Sequence, residues 1–447
     1  MDISNTVKKL GINKMIDYAL KDPKKNFEKI LDWADTFAGD DFASQRKGVR
    51  QAMTNPESPY YDFIHQSVER IDQHVLKTLS RNLFFNASLI GGPIHEKLRQ
   101  EYNCNIPWTI LLDPTSACNM NCKGCWAAEY GNKLNLTYKE IDDIISQGKE
   151  LGVYMYIYTG GEPLVRKNDL IDICEKHSDC VFLTFTNGTL IDDDLAKEML
   201  RVGNLVPAIS LEGFEEATDS RRGPGAYQKV MDAIEVLRQN KLLYGISTCY
   251  TSENIDSILS DEFTDHLIEL EAAFIWYFHY MPVGKGALPE LLPSPEQRKR
   301  VFYKIRKNRK EKPLFAMDFQ NDAQYVGGCI AGGRDYLHIN AAGDIEPCVF
   351  IHYSDSNIRE KTLLEALGSP LFMAYHDKQP FNENMLRPCP MLENPDKLRE
   401  IIKNTEAKST NLLSSESADE LCSKCDRYAK NWAPTADEIW KEERAGL

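Results

Sequence analysis

The sequence has no run of eighteen apolar residues, and its opening segment, MDISNTVKKLGINK, has no apolar stretch of the secretory kind. Neither a membrane span nor export is therefore expected, and a cytoplasmic location is. Positive charge is not in surplus either. The chain has 53 lysines and arginines against 67 aspartates and glutamates, a net charge of −14. That argues against a nucleic-acid partner, because such domains present a basic face. The one basic run, Arg298 to Lys312, holds Val301, Phe302 and Ile305 at helical spacing and reads as the solvated face of a helix. Common hydrolase signatures are missing as well. The nine histidines are scattered without H-E-x-x-H spacing, and neither a G-x-S-x-G elbow nor a P-loop occurs. His279, close to Tyr277 and Tyr280 in a strand-like run, reads as packed rather than catalytic.

Cysteine, by contrast, is plentiful, at twelve. In a chain of 447 residues with no export signal, grouped cysteines point to metal or cluster ligation rather than disulfides. One group is Cys118, Cys122 and Cys125. The other is spread through the C-terminal third as Cys329, Cys348, Cys389, Cys422 and Cys425. Cys104, Cys174, Cys180 and Cys249 stand singly among apolar neighbours and read as small buried hydrophobes.

Three regions follow from the patterning. Residues 1–104 read as a helical extension, with Val68, Ile71, Val75, Leu79 and Leu83 on one apolar face and breaks at Asn55 to Pro59 and at Gly91 to Pro93. Residues 105–312 alternate strands and helices. The strands are predicted at 108–113, 153–159, 181–186, 206–211, 244–249 and 274–280, with helices at 192–203 and 225–241 and another announced by the Thr137/Glu140 capping pair. This rhythm predicts an α/β fold with a parallel sheet, a partial (β/α)6 barrel of the TIM type with its site at the strand C-terminal ends. Residues 313–447 read as a small cysteine-rich, loop-rich domain with one hairpin across Ala341 to Asp344, stapled by a metal centre.

The segment DPTSACNMNCKGCWAAEYG directly follows the first predicted strand. Three clustered thiolates suit a four-iron cluster with one iron left open, whereas zinc normally takes four ligands. The C-x-x-x-C-x-x-C spacing of Cys118, Cys122 and Cys125 resembles the radical S-adenosylmethionine (SAM) enzymes. That resemblance implies a 4Fe–4S cluster whose open iron is chelated by SAM, reductive cleavage to a 5′-deoxyadenosyl radical, and abstraction of a substrate hydrogen. It also implies an anaerobic enzyme served by an electron donor such as a flavodoxin or ferredoxin. Family members often carry an aromatic residue just before the third cysteine, where this chain has Gly124, with Trp126 just after. Gly160, Gly161, Glu162 and Pro163 resemble the family's GGEP motif, which implies a seat for the methionine amine, with glycines for close approach and a carboxylate for the ammonium. Thr186 and Asn187 end the third strand within reach of a ribose. Ser210 and Glu212 resemble the ISLDG stretch of the peptide- and protein-modifying subgroup, with glutamate in place of aspartate, and Arg222 is a candidate partner for the SAM carboxylate.

The run Cys329-x13-Gly343-x4-Cys348, with Cys422-x-x-Cys425 after it, resembles a shortened SPASM domain, an iron–sulfur extension of many radical SAM enzymes. The resemblance implies one auxiliary iron–sulfur cluster held by Cys329, Cys348, Cys422 and Cys425, with Cys389 as the spare. A structural zinc in the same thiolates is the plainer alternative. The expected substrate is a peptide or protein. The helical extension with its LFFNASLIGG stretch admits a lipid acyl chain as a second choice, and a non-catalytic electron carrier or zinc-scaffolded binding protein is the rival outside enzymes.

Overall fold

The computed structural model describes residues 3–38 and 43–445. Its centre is one sheet of nine strands: β1 (Thr109–Leu112), β2 (Met155–Tyr158), β3 (Val181–Thr186), β4 (Leu205–Ser210), β5 (Gly245–Tyr250), β6 (Phe274–His279), β7 (Phe315–Asp318), β8 (Tyr336–Ile339) and β9 (Ile345–Glu346). They lie in the order β7-β6-β5-β4-β3-β2-β1-β8-β9. All neighbours are parallel except β8 and β9, which form an antiparallel hairpin. The strands are apolar on both faces because helices cover the outside. The two edge strands, β7 and β9, do not pair with each other among the described residues, so the barrel stays open.

The first six strands fall where the sequence puts them, to within two residues. The helix Tyr138–Glu150 starts on a complete capping box: the Glu140 amide donates to Thr137 Oγ1 at 3.1 Å, and the Thr137 amide donates to Glu140 Oε2 at 2.7 Å. Its Ile141, Ile144 and Ile145 are buried against the sheet.

The barrel is nonetheless longer than expected, with eight parallel strands instead of six. β7 begins just past residue 312. β8, read from sequence only as half of a hairpin, also runs parallel to β1, with Thr109 opposite Tyr336 and Leu112 opposite Ile339. A four-residue strand serving two partners carries no pattern that one partner would not also produce. The boundary expected at 312 thus falls inside the sheet.

The N-terminal region is helical, as predicted. Val68, Ile71, Val75 and Leu79 are buried, although Val68 lies in the helix Pro59–Arg70, Ile71 caps its end, and Val75 and Leu79 lie in the helix Gln73–Ser80. The expected break at Gly91 is instead a change of winding, from a π-helix over Arg81–Ile90 to an α-helix over Gly91–Tyr102. From the π-helix, Asn82 donates to the carbonyls of Ser178 and Cys180, and Asn86 donates to that of Asp179. Gly91 is packed on the Gly152 carbonyl, where a Cβ would come within 2.2 Å. Residues 152 and 178–180 precede β2 and β3, so the extension covers the N-terminal ends of the strands.

The C-terminal third has more regular structure than its prolines suggested. It holds the helices Pro370–Lys378, Pro395–Thr405 and the 28-residue Ala418–Ala445, which carries both Cys422 and Cys425. Pro370 and Pro395 occupy first helical turns, where proline starts a helix instead of breaking it. The basic run does form a helix, Pro295–Glu311, but Arg298 is fully buried and paired to Glu393 at 2.6 Å. No helix of the described residues is long and apolar enough to cross a membrane.

Candidate active site

A cavity of about 330 Å3 fills the inside of the open barrel, at the small end of the roughly 300–1,000 Å3 typical of small-molecule sites. The loop after β1 brings Cys118, Cys122 and Cys125 to it. Gly160, Gly161 and Glu162 arrive after β2, Thr186 and Asn187 at the end of β3, Ser210 at the end of β4, and Arg222 from the helix Glu215–Arg222. The three sulfurs share this space, yet no three His, Cys, Asp or Glu side chains among the described residues gather closely enough to hold one metal ion. The Met120 amide points at Cys118 Sγ at 3.4 Å, and Arg222 Nη1 lies 4.0 Å from Cys122 Sγ, both favourable to thiolate charge.

Several expected residues act differently from the sequence reading. A Cβ on Gly161 would meet the Ala117 carbonyl at 2.2 Å, and one on Gly160 the Thr115 carbonyl at 2.6 Å. The two glycines therefore let the β2 loop lie against the strand of backbone leading to Cys118. Glu162 is buried with its carboxylate already engaged: Oε1 accepts from Leu164 N and Thr186 Oγ1, and Oε2 from Asn187 N. It splices the loop after β2 to the end of β3 and keeps one acceptor position spare on Oε2. Burial pushes its carboxyl up, opposed by those donors. Pro163 does not line the cavity and instead begins the short helix Pro163–Arg166.

Glu212 is also outside the cavity wall. Its Oε1 accepts from Arg221 Nη1 at 2.5 Å and from Arg222 Nε and Nη2 at 2.8 and 2.5 Å, and its Oε2 accepts from the Cys249 amide. The carboxylate fixes two guanidinium groups, and these do line the cavity. Gly124 has a comparable explanation. It adopts φ +65°, and a Cβ there would meet the Tyr280 ring at 2.8 Å. Tyr280, from the far end of β6, fills the space that a side chain at position 124 would take.

Residues 112–260 match the radical SAM superfamily. The chain carries a radical SAM domain. Such a domain implies a 4Fe–4S cluster and SAM. Over 292 residues the chain is 27% identical to the AdoMet-dependent heme synthase of Methanosarcina barkeri, spanning 58% of this chain and 82% of that protein. Over 256 residues it is 24% identical to the PqqA peptide cyclase of Bradyrhizobium diazoefficiens, with 54% and 67% covered. The structure of Streptococcus suis SuiB bound to its precursor peptide SuiA shares the fold at a TM-score of 0.55 and 19% identity, over 76% of this chain and 80% of that one.

Within the radical SAM cavity, the sequence reading missed Arg221, Ser247, Cys249 and a wall of aromatic rings. Phe185, Trp276, Phe278 and Phe319 pack at centroid distances of 5.3 to 5.7 Å. The signal was there in the two-residue alternation along each strand: Thr109/Leu111, Met155/Ile157, Ser247/Cys249 and Trp276/Phe278 all face inward. Cys104, Cys174 and Cys180 are buried as expected, whereas Cys249 is half-buried on the cavity wall. His279 lines the cavity, but both ring nitrogens are engaged: Nε2 is 2.7 Å from the Tyr428 hydroxyl and Nδ1 is 2.6 Å from the Tyr280 carbonyl. Burial, with Arg298 nearby, keeps this imidazole neutral.

Of the C-terminal cysteines none lines the cavity, and Cys348 lies directly behind its wall. Tyr336 at the start of β8 lines the cavity and donates to Cys348 Sγ at 2.8 Å. Cys389, set aside by the sequence reading, interacts electrostatically with Cys329 and Cys348. Burial first, then the Glu393 carboxylate, and then these thiols push its thiol up.

Proposed function

We propose that this radical SAM enzyme binds its 4Fe–4S cluster through Cys118, Cys122 and Cys125 and modifies a peptide or protein by presenting an apolar or aromatic side chain inside the barrel. The cofactors, when bound, supply one electron and a carbon–sulfur bond whose cleavage gives the 5′-deoxyadenosyl radical. The chain's own residues bind, orient and exclude water. Arg221 and Arg222 put positive charge beside the cysteine loop, Glu162 offers its spare acceptor position to an ammonium, and Thr186, Asn187 and Ser210 supply polar atoms at neighbouring strand ends. We assign one auxiliary iron–sulfur cluster to the C-terminal cysteines, of which Cys348 accepts from Tyr336.

The observation that carries the substrate reading is the charge of the wall. Among the cavity-lining residues the only guanidinium or ammonium groups are Arg221 and Arg222, and both are paired to Glu212. The rest is largely aromatic and aliphatic. A tetrapyrrole with several carboxylates, the substrate type suggested by the heme synthase relatives, would find no unpaired cation there. An apolar side chain buries its surface against Phe185, Trp276 and Phe278. The PqqA cyclase and SuiB likenesses favour the same substrate class. A lipid loses its specific support, because the LFFNASLIGG stretch packs on the opposite end of the strands.

Anaerobically reconstituted protein given dithionite and SAM is expected to form 5′-deoxyadenosine, and Cys118→Ala, Cys122→Ala and Cys125→Ala each to abolish it. Absence of 5′-deoxyadenosine from the wild-type protein overturns the reading. Deuterium transfer into 5′-deoxyadenosine from deuterated peptide extract, and not from deuterated tetrapyrrole or lipid extract, is the expected substrate result.

A further inference from the structure

The cavity does not stop beneath the cysteine loop. Thr109 of β1, Met155 of β2 and Tyr336 of β8 carry its lining down to Trp108 and Asp335, the residues just before β1 and β8. These two are neighbours across the sheet, because the Trp108 and Thr109 amides donate to the Asp335 carbonyl at 2.9 and 3.0 Å. Trp108 is 36% exposed and the Asp335 side chain 43%. The barrel therefore has a second mouth at its floor, beside the extension that covers the starts of β2 and β3. A closed barrel would fill this level with packed side chains. At about 3.3 Å per residue, the way from Trp108 up to Leu111 is roughly 10 Å, too far for a side chain of one or two carbons. The charges on the lining are unevenly placed. Arg221 and Arg222 share Glu212, and the only two carboxylates on the lining stand at opposite ends, Glu162 by the cysteines and Asp335 at the floor. Arg334 reaches one Asp335 oxygen, Oδ2, with Nε at 3.2 Å, and turns its two Nη groups to the carbonyls of Gly327 and Val326. Among the described residues, no hydrogen bond or ion pair engages Asp335 Oδ1.

We infer that the floor mouth anchors a lysine side chain of the substrate, with the apolar stem along the lower barrel wall and the ammonium between Asp335 Oδ1 and the Trp108 ring. A carboxylate at the end of an apolar passage selects an apolar stem with a donor at its tip, and charge assistance makes an ammonium the strongest donor. An indole face beside it adds a cation–π attraction. One free oxygen suits the compact charge of lysine, whereas the guanidinium fork of arginine takes two. The ammonium stays in water at the mouth, so its charge is not stripped of solvent. The same Asp335 repels the carboxylates of a fatty acid or a tetrapyrrole. Asp335 is a specificity residue and takes no part in the carbon–sulfur cleavage or the hydrogen transfer. This inference rests on the peptide reading of the cavity, and it narrows the apolar side chain to one with a cationic tip.

The first test is calorimetric and uses the anaerobic, cluster-loaded full chain saturated with S-adenosylhomocysteine, which keeps Glu162 occupied. The probe is n-pentylammonium, which has the length of a lysine side chain. It is expected to bind, and pentanoate is not. Asp335→Asn is expected to weaken the probe about tenfold or more, as loss of a charge-assisted hydrogen bond does, and Asp335→Glu to retain it. Trp108→Ala is expected to weaken it as well, and this arm decides the matter if Asp335→Asn does not fold. Equal binding of pentylammonium and pentanoate overturns the inference, and so does undiminished binding in either folded variant. The second test is deuterium transfer into 5′-deoxyadenosine from deuterated peptide extract. Acetylation of the extract, which neutralises lysine, is expected to abolish transfer. Guanidination with O-methylisourea, which converts lysine and spares N-terminal amines, is expected to do the same. Transfer that survives either treatment overturns the inference alone, whereas no transfer from the untreated extract overturns the peptide reading and the inference with it.

Discussion

Glu212 is a single carboxylate holding two guanidinium groups and one amide in a fully buried place. Removing its charge strands both arginines, and breaking a buried pair in this way costs about 3–5 kcal/mol. Glu212→Gln is therefore expected to lower the denaturation free energy by that order and to weaken SAM binding, measured by denaturant titration and calorimetry. Burial works against the charge, but Arg221 and Arg222 outweigh it and hold the carboxyl below its usual range. The stabilisation is thus complete above the unfolded value of about 4.3 and disappears as pH falls through the lower folded value. The wild-type chain should lose stability on acidification more steeply than Glu212→Gln. At this scale the sequence was most legible in placement, as in the cysteine triplet and the two glycines after β2, which reach the cavity. It was least legible where a role depends on a distant partner. Nothing in the neighbourhood of residue 212 says that two arginines fold back on it, and nothing near Gly124 says that Tyr280 fills its space.

The helical elements show why periodicity locates a segment better than it describes it. The spacing through Val68 to Leu83 found the buried face, but the same apolar pattern fits an α-helix and the π-helix of Arg81–Ile90. Asn82 and Asn86 turn that looser helix toward the carbonyls of residues 178–180. Asn82→Ala takes its donor from the Ser178 carbonyl and Asn86→Ala from that of Asp179, while Asn204 still serves the Cys180 carbonyl, and each change is expected to cost about 1–3 kcal/mol. Because they sit at the strand ends away from the cysteine loop, 5′-deoxyadenosine yield below the unfolding transition should not change. A fall in yield at full foldedness would contradict the separation of the two ends. Among the strands, β7 escaped notice and β8 was read only as half of a hairpin, because both lie beyond a break in the strand–helix rhythm.

Across the whole molecule, His338 joins segments far apart in the chain. It lies 2.9 Å from Asp113 after β1 and 2.6 Å from Glu346 in β9, and Tyr130 from the cysteine loop donates to the same Glu346. Burial opposes the imidazolium charge, yet Asp113 and Glu346 together push the group up to about 10. A raised folded value means a contribution fully present below the unfolded value of about 6.5 and lost as pH climbs toward 10. Denaturant titrations of the wild-type chain should show stability declining over that alkaline span, with the decline absent in His338→Gln, which starts out weaker.

The hydroxyl that fixes the orientation of His279 belongs to a residue 149 positions later. On the ribosome the barrel strands emerge first, with that imidazole still free to turn. The reaction chamber takes its final shape only when the long C-terminal helix has been synthesised and docked, so an unfinished polypeptide has a scaffold but no set chamber.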